Sequence, residues 1–155
     1  MPTRSTGELN REASAWATAR SNVVIDYFTG VKPASADTAP TGSTLLVTLS
    51  KNGSTSTTGG TGATGGFSFA TAATGGVVIR TPSESVYGTA VASGSAGWAR
   101  MRNADDWGTT NTTNIRQDYS IGLAGSGAEI ILSDVVIVSG SVHPLGTFTH
   151  TVSNN

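Results

Sequence analysis

Two hydrophobic periodicities divide the chain near residue 22. Before it, Leu9, Ala13, Trp16 and Ala17 recur at i, i+4, i+7 and i+8, which lays them along one stripe of a helix. Ser5-Thr6-Gly7-Glu8, just ahead, fits a capping box in which Ser5 and Glu8 reciprocally satisfy open backbone donors. The predicted helix, within residues 5–20, is short and Ala-rich. Isolated helices below ~12–15 residues are marginal in water, so the stripe needs a partner. That partner is either the body of its own domain or another protein.

After residue 22 the period changes to two. Strands are predicted at 22–29, 43–49, 67–70, 77–80, 86–92, 97–102, 115–121, 128–132, 135–138 and 148–152, rich in β-branched residues and mostly separated by Gly, Pro or Asn. Leu45, Val47 and Leu49 alternate with Leu46, Thr48 and Ser50, and Phe148, His150 and Val152 alternate with threonines, both half-buried patterns. Many short strands without intervening helices predict an all-β fold, an antiparallel β-sandwich of jelly-roll type with a short N-terminal helix. The expected organisation is a helical arm at 1–21 and a β-sandwich domain at 22–155. Two long polar connections stand out: 51–66, KNGSTSTTGGTGATGG, expected to be exposed and mobile, and 103–114.

Composition narrows the function more than the fold. Gly, Ser and Thr supply 63 of 155 residues and only 12% are charged, with a net charge of −1. Disordered chains usually combine low hydrophobicity with high net charge, so a folded, turn-rich β protein fits better. Two Lys and seven Arg make no basic stripe for a phosphate backbone, so nucleic acid is not an expected partner. No run approaches the ~20 apolar residues of a membrane span, so no membrane association is expected. The start, MPTRSTGELNREAS, lacks the apolar core of a secretory signal. Without cysteine there is no disulfide, thiolate metal site or cysteine nucleophile.

Candidate chemistry is sparse. Gly60-Thr61-Gly62-Ala63-Thr64-Gly65 spells a dinucleotide-binding string, but that mechanism needs a strand before it and a helix after it. A Ser/Thr/Gly run and Phe67-Ser68-Phe69 flank it instead, the context of a plain loop. His143, before Pro144 in a predicted turn, and His150, in a predicted strand, are too few for the usual zinc sets. Ser95 reads as a turn residue ahead of a strand. Asn52 and Asn111 begin glycosylation sequons that read better as turn chemistry. Asp105-Asp106-Trp107-Gly108 could bind a sugar or a cation, yet glycosidase carboxylates flank the scissile bond from separated positions. A turn with Trp107 tucked onto the sheet is the simpler expectation. Asp118 and Asp134 are the remaining separated carboxylates for a glycan-degrading site. No catalytic, cofactor-binding or metal residue is assigned, no cofactor is implied, and the protein is expected not to be an enzyme.

Motif order adds a further indication. Ile25-Asp26-Tyr27-Phe28-Thr29-Gly30, Lys32-Pro33-Ala34-Ser35-Ala36-Asp37 and Thr41-Gly42-Ser43-Thr44-Leu45-Leu46 are followed by the Ala92–Arg100 strand ASGSAGWAR. Gly127-Ala128-Glu129-Ile130-Ile131-Leu132 and the stretch 146–152 close the series. Together, over most of residues 22–152, these resemble small tailed-bacteriophage virion proteins related to head decoration, or cement, proteins. The resemblance implies a non-enzymatic β-sandwich on the outer capsid surface of the virion, synthesised in the host cytoplasm. It implies binding to the major capsid protein and to itself, as a homodimer or homotrimer, and stabilisation of the head. The alternative is a tail or fibre module that binds a receptor or glycan, which exposed aromatics, Trp107 and Tyr119 in particular, would favour.

Overall fold

The structure, a computed structural model, describes residues 3–55 and 63–153. It is mostly β, with one short N-terminal helix, α1 (Thr6–Thr18). The strands are β1 (Val23–Thr29), β2 (Leu45–Lys51), β3 (Val77–Ile79), β4 (Val86–Thr89), β5 (Gly94–Asn103), β6 (Arg116–Gly122), β7 (Ile130–Ile131), β8 (Val136–Ile137), β9 (Val142–Pro144) and β10 (Thr149–Thr151). Seven strands run in the order β7-β6-β5-β1-β2-β4-β9, and β8 joins that sheet by pairing with β5. Neighbours are antiparallel except β6 and β7, which are parallel. β3 and β10 form a separate antiparallel pair.

Ser5 caps α1, its Oγ accepting the Glu8 N–H at 3.2 Å. Glu8 lies 3.6 Å from Arg4, an exposed i,i+4 ion pair. The apolar stripe is spent on the protein's own β domain: Ala13 and Ala17 are fully buried, and Trp16 stacks on His150 of β10 at 3.9 Å and meets the edge of Phe69 at 4.8 Å. Of the two partners left open by periodicity, the body of the domain takes this face. Asn10 Oδ1 accepts the Gly76 N–H at 2.7 Å, and Gly76 O accepts the Val152 N–H at 2.9 Å, tying both ends of the chain to one turn.

β1 is central, and its alternation assigns two faces. Val23, Ile25 and Tyr27, with Val47, Leu49, Ala99 and Met101 of its neighbours, enter the main core beside Phe67 and Phe69. Val24, Asp26 and Phe28 point the other way, opposite Arg102, Arg100 and Trp98 of β5. Trp98 is fully buried there, stacked on Phe28 at 4.5 Å, with Nε1 donating to Thr29 O and Ser43 Oγ at 3.2 Å each. It sits on the face opposite the main core. Gly97 next to it has no room for a side chain, because a Cβ would lie 2.0 Å from Gly30 O.

Three local expectations need correction. His143-Pro144 is no turn but part of β9, at the sheet's end, where proline's missing N–H does no harm. Ser95 lies within β5, paired with Val136, because that strand starts earlier than its apolar pattern suggests. Of the connection 51–66, residues 56–62 lie outside those described, but its end is held rather than free. Asn22 Nδ2 donates to Ala63 O at 2.7 Å, Gly66 N–H donates to Asn22 Oδ1 at 2.8 Å, and Gly65 and Gly66 are buried.

Candidate functional site

The face of β1, β5 and β6 that turns away from the main core carries an ionic layer. Antiparallel register places Arg100 opposite both Asp26 and Asp118, and Arg102 opposite both Val24 and Arg116. Arg100 grips Asp118 with two parallel bonds, Nε to Oδ1 at 2.7 Å and Nη2 to Oδ2 at 2.8 Å. Arg102 Nε reaches Asp26 Oδ2 at 2.6 Å, and Thr48 Oγ1 donates to the other oxygen at 2.6 Å. Arg116 grips Asp106 through Nε at 2.6 Å and Nη2 at 2.7 Å. All six side chains are at most 8% exposed. Charges desolvated to this degree persist only when paired and hydrogen-bonded, which each is.

What the arginines do with their remaining donors decides the meaning of the layer. Arg100 Nη1 donates to Thr38 O at 2.8 Å, Arg102 Nη1 to Asp106 O at 2.9 Å, and Arg116 Nη1 to Ala36 O and Asp37 O at 3.3 Å. Arg116 Nη2 also donates to Thr109 O at 2.6 Å. Two long connections, β1 to β2 and β5 to β6, are thus clamped onto the sheet by their backbone carbonyls. They also hold each other, Asn111 N–H donating to Asp37 O at 2.9 Å and Ala39 N–H to Thr110 Oγ1 at 3.2 Å. Burial alone would raise the Asp106 pKa, but hydrogen bonds from Arg116 and the Gly108 N–H, with the Arg116 charge, hold it below the usual carboxylate range. Hydrogen bonding to Asp106 in turn raises the Arg116 pKa.

Within Asp105-Asp106-Trp107-Gly108 the acid turns inward and the ring turns out. Asp106 is buried, while Trp107 is 70% exposed, overturning its expected place on the sheet. The carboxylate wins the interior because a buried guanidinium waits for it, and the chain then projects its neighbour outward. Tyr119, considered as an exposed aromatic, is instead a buried β6 residue, edge-on to Phe148 at 5.7 Å. Asp118 is engaged by Arg100, and Asp134 caps the Val136 N–H at 2.8 Å, so neither is a free carboxylate awaiting the other.

The histidines stand apart in function as well as in sequence. His150 stacks on Trp16, and burial, then the charge of Arg20, lowers its pKa below 6.5. His143 Nε2 lies 2.8 Å from Ser141 Oγ, a contact sequence spacing did not flag. The Ser141 hydroxyl also contacts Val138 O, and the donor in its bond to His143 is set by the imidazole tautomer. Among the described residues, no group of three or more His, Cys, Asp or Glu is placed to hold a metal ion. No helix among them is long and apolar enough to cross a membrane. Of the string at 60–65, residues 60–62 lie outside those described, and Phe67 then pairs with Val23 rather than opening a helix. Asn111 Oδ1 accepts the Thr113 and Asn114 N–H groups at 2.7 and 3.0 Å, the turn chemistry expected of it. Asn52 adopts φ 55°, also a turn conformation. Comparison of the chain with protein-family models, with curated proteins and with solved structures finds no match.

Proposed function

We propose that this is a non-enzymatic bacteriophage virion protein that decorates the outer capsid, binds the major capsid protein through its two clamped loops and stabilises the head. The observation that carries the reading is the pair of connections pinned by Arg100, Arg102 and Arg116, with Trp107 of the β5-to-β6 connection left 70% exposed. Loops ordered before binding lose little entropy when they dock, and an exposed tryptophan is a common binding anchor. The motif order over residues 22–152 supports the capsid as the partner. In this reading the strands form a β-sandwich of jelly-roll type, and the protein assembles as a homodimer or homotrimer. Several weak contacts across a lattice then add through effective concentration.

The test is co-sedimentation with capsids that lack the protein. Trp107→Ala is expected to weaken binding about 30-fold, the ~2 kcal/mol typical of an anchor, with an unchanged melting transition. Binding that is absent in the wild type, or indifferent to this substitution, refutes the reading. The exposure of Trp107 beside Thr109, Thr110 and Asn111 also suits the second reading, a tail or fibre glycan-binding module. Retention on a glycan array, lost in the same variant, without capsid binding would establish that alternative.

A further inference from the structure

α1 precedes β1 and pairs with no strand, so it can lift away without breaking either sheet. Few groups fasten it. Ala13 and Ala17 are fully buried, but an alanine methyl contributes little. Asn10 adds a hydrogen bond from the Gly76 N–H. The large anchor is Trp16, which lies parallel to the His150 imidazole, 3° between planes and 3.9 Å between centroids, with Phe69 at its edge. The ring beneath the anchor is therefore titratable, and its surroundings suit only the neutral form. α1 brings Arg20, whose guanidinium lies 4.1 Å over the Trp16 ring and donates to Trp16 O at 3.3 Å. β3, opposite His150 through Val78, and the segment carrying Phe69 bring no charge. Tyr119, edge-on to Phe148, is kept neutral by burial, which raises its phenol pKa. Among the described residues no carboxylate pairs with the imidazole. An imidazolium there would be half-buried, beside a cation and without an anion. Its attraction to the indole face is offset by Arg20, already seated over the same indole.

We propose that the seating of α1 on β10 is an acid-released latch: when His150 takes up a proton, the helix lifts and presents Trp16 and its apolar stripe while the sheets stay closed. With the helix lifted, His150 meets water and titrates near the ordinary imidazole value of about 6.5. With the helix seated, burial first and then the charge of Arg20 lower that value. Seating therefore expels a proton in the window between the two. The latch is fully closed above about pH 6.5 and weakens as pH falls through that window, by at most about tenfold per pH unit for one proton. The device is separate from the Trp107 loops and does not depend on what those loops bind.

Hydrogen exchange of the whole protein, read by mass spectrometry at about pH 7.5 and about pH 5.5 and corrected for intrinsic rates, tests the latch segment by segment. The expected result is an opening of residues 6–18 that rises about threefold or more at the lower pH, with β1 and β5 unchanged. His150→Phe keeps a ring against Trp16 and should abolish the rise, while His143→Gln, altering the other histidine, should leave it intact. Arg20→Gln retains His150 but removes the neighbouring cation, and should shrink the rise; it serves as the second variant if His150→Phe disturbs β10. Exchange at 6–18 that is unchanged or slower in acid overturns the proposal. So does a rise shared equally by β1 and β5, which is global unfolding, or a rise that persists in full in both His150→Phe and Arg20→Gln.

Discussion

Replacing Asp106 with alanine strips the buried Arg116 of the carboxylate it grips. The guanidinium is 1% exposed and cannot swing to water without releasing Ala36 O, Asp37 O and Thr109 O. Two charge-assisted bonds disappear together with the Asp106 bond to the Gly108 N–H. Breaking a buried pair from one side costs about 3–5 kcal/mol, a large share of the ~5–15 kcal/mol that holds a domain together. For a domain of this size the melting temperature should fall by roughly 6–20 °C. Urea unfolding gives the free energy, and hydrogen exchange at 35–39 and 104–114 reports whether the loops come loose. The double variant Asp106→Leu, Arg116→Met removes both charges and should lose less than Asp106→Ala alone. A loss below about 1 kcal/mol in the single variant, with loop exchange unchanged, would refute the clamp. Acid supplies an independent check. The folded pKa of Asp106 is depressed, so its contribution is complete above the unfolded value near 3.9 and is lost as pH falls through the folded one.

Two further outcomes are expected. Trp98→Ala removes a fully buried ring, its stack on Phe28 and its two hydrogen bonds, and should cost about 3–5 kcal/mol by urea unfolding; a cost below about 1 kcal/mol would place the ring outside the packed interior. His150 has a folded pKa below the 6.5 of the unfolded chain, so unfolding takes up a proton below that pH. Stability is therefore full above about pH 6.5 and declines as the pH drops through the window beneath it, and His150→Phe, which keeps an aromatic ring against Trp16, should flatten that slope in a series of urea midpoints.

Two strands were legible from their composition and their breaks. Val23–Thr29 and Leu45–Lys51 fall within two residues of their expected bounds because apolar, largely β-branched and aromatic runs there are bounded by Asn22, Gly30, Gly42 and Gly53, although both strands bury successive residues. β9 was not legible: a proline after a histidine resembles a turn in one dimension, and only the sheet order shows that Pro144 occupies an end. The ionic layer was hidden for a different reason. Arg100 and Arg102 alternate with Ala99, Met101 and Asn103, a pattern that normally marks a solvent face, and Arg102 lies 76 residues from Asp26 in sequence. A signal existed in the low charge content: with nine Lys and Arg in 155 residues, two at alternate positions beside a tryptophan invite a search for partners. Trp107 was misplaced because its fate follows from Asp106, whose partner no local spacing identifies.

The seating of α1 against β10 sets an order of events on the ribosome. Trp16 is made early, but the His150 ring that covers it arrives near the other end of the sequence, as does the Val152 N–H that closes on Gly76. The central pairing of β1 with β5 likewise waits for residues 96–103. A nascent chain therefore carries its helix with one apolar side uncovered until residue 150 has been made. The fold closes only when late residues return to early ones, a high contact order that slows the final step and lengthens exposure to misassociation.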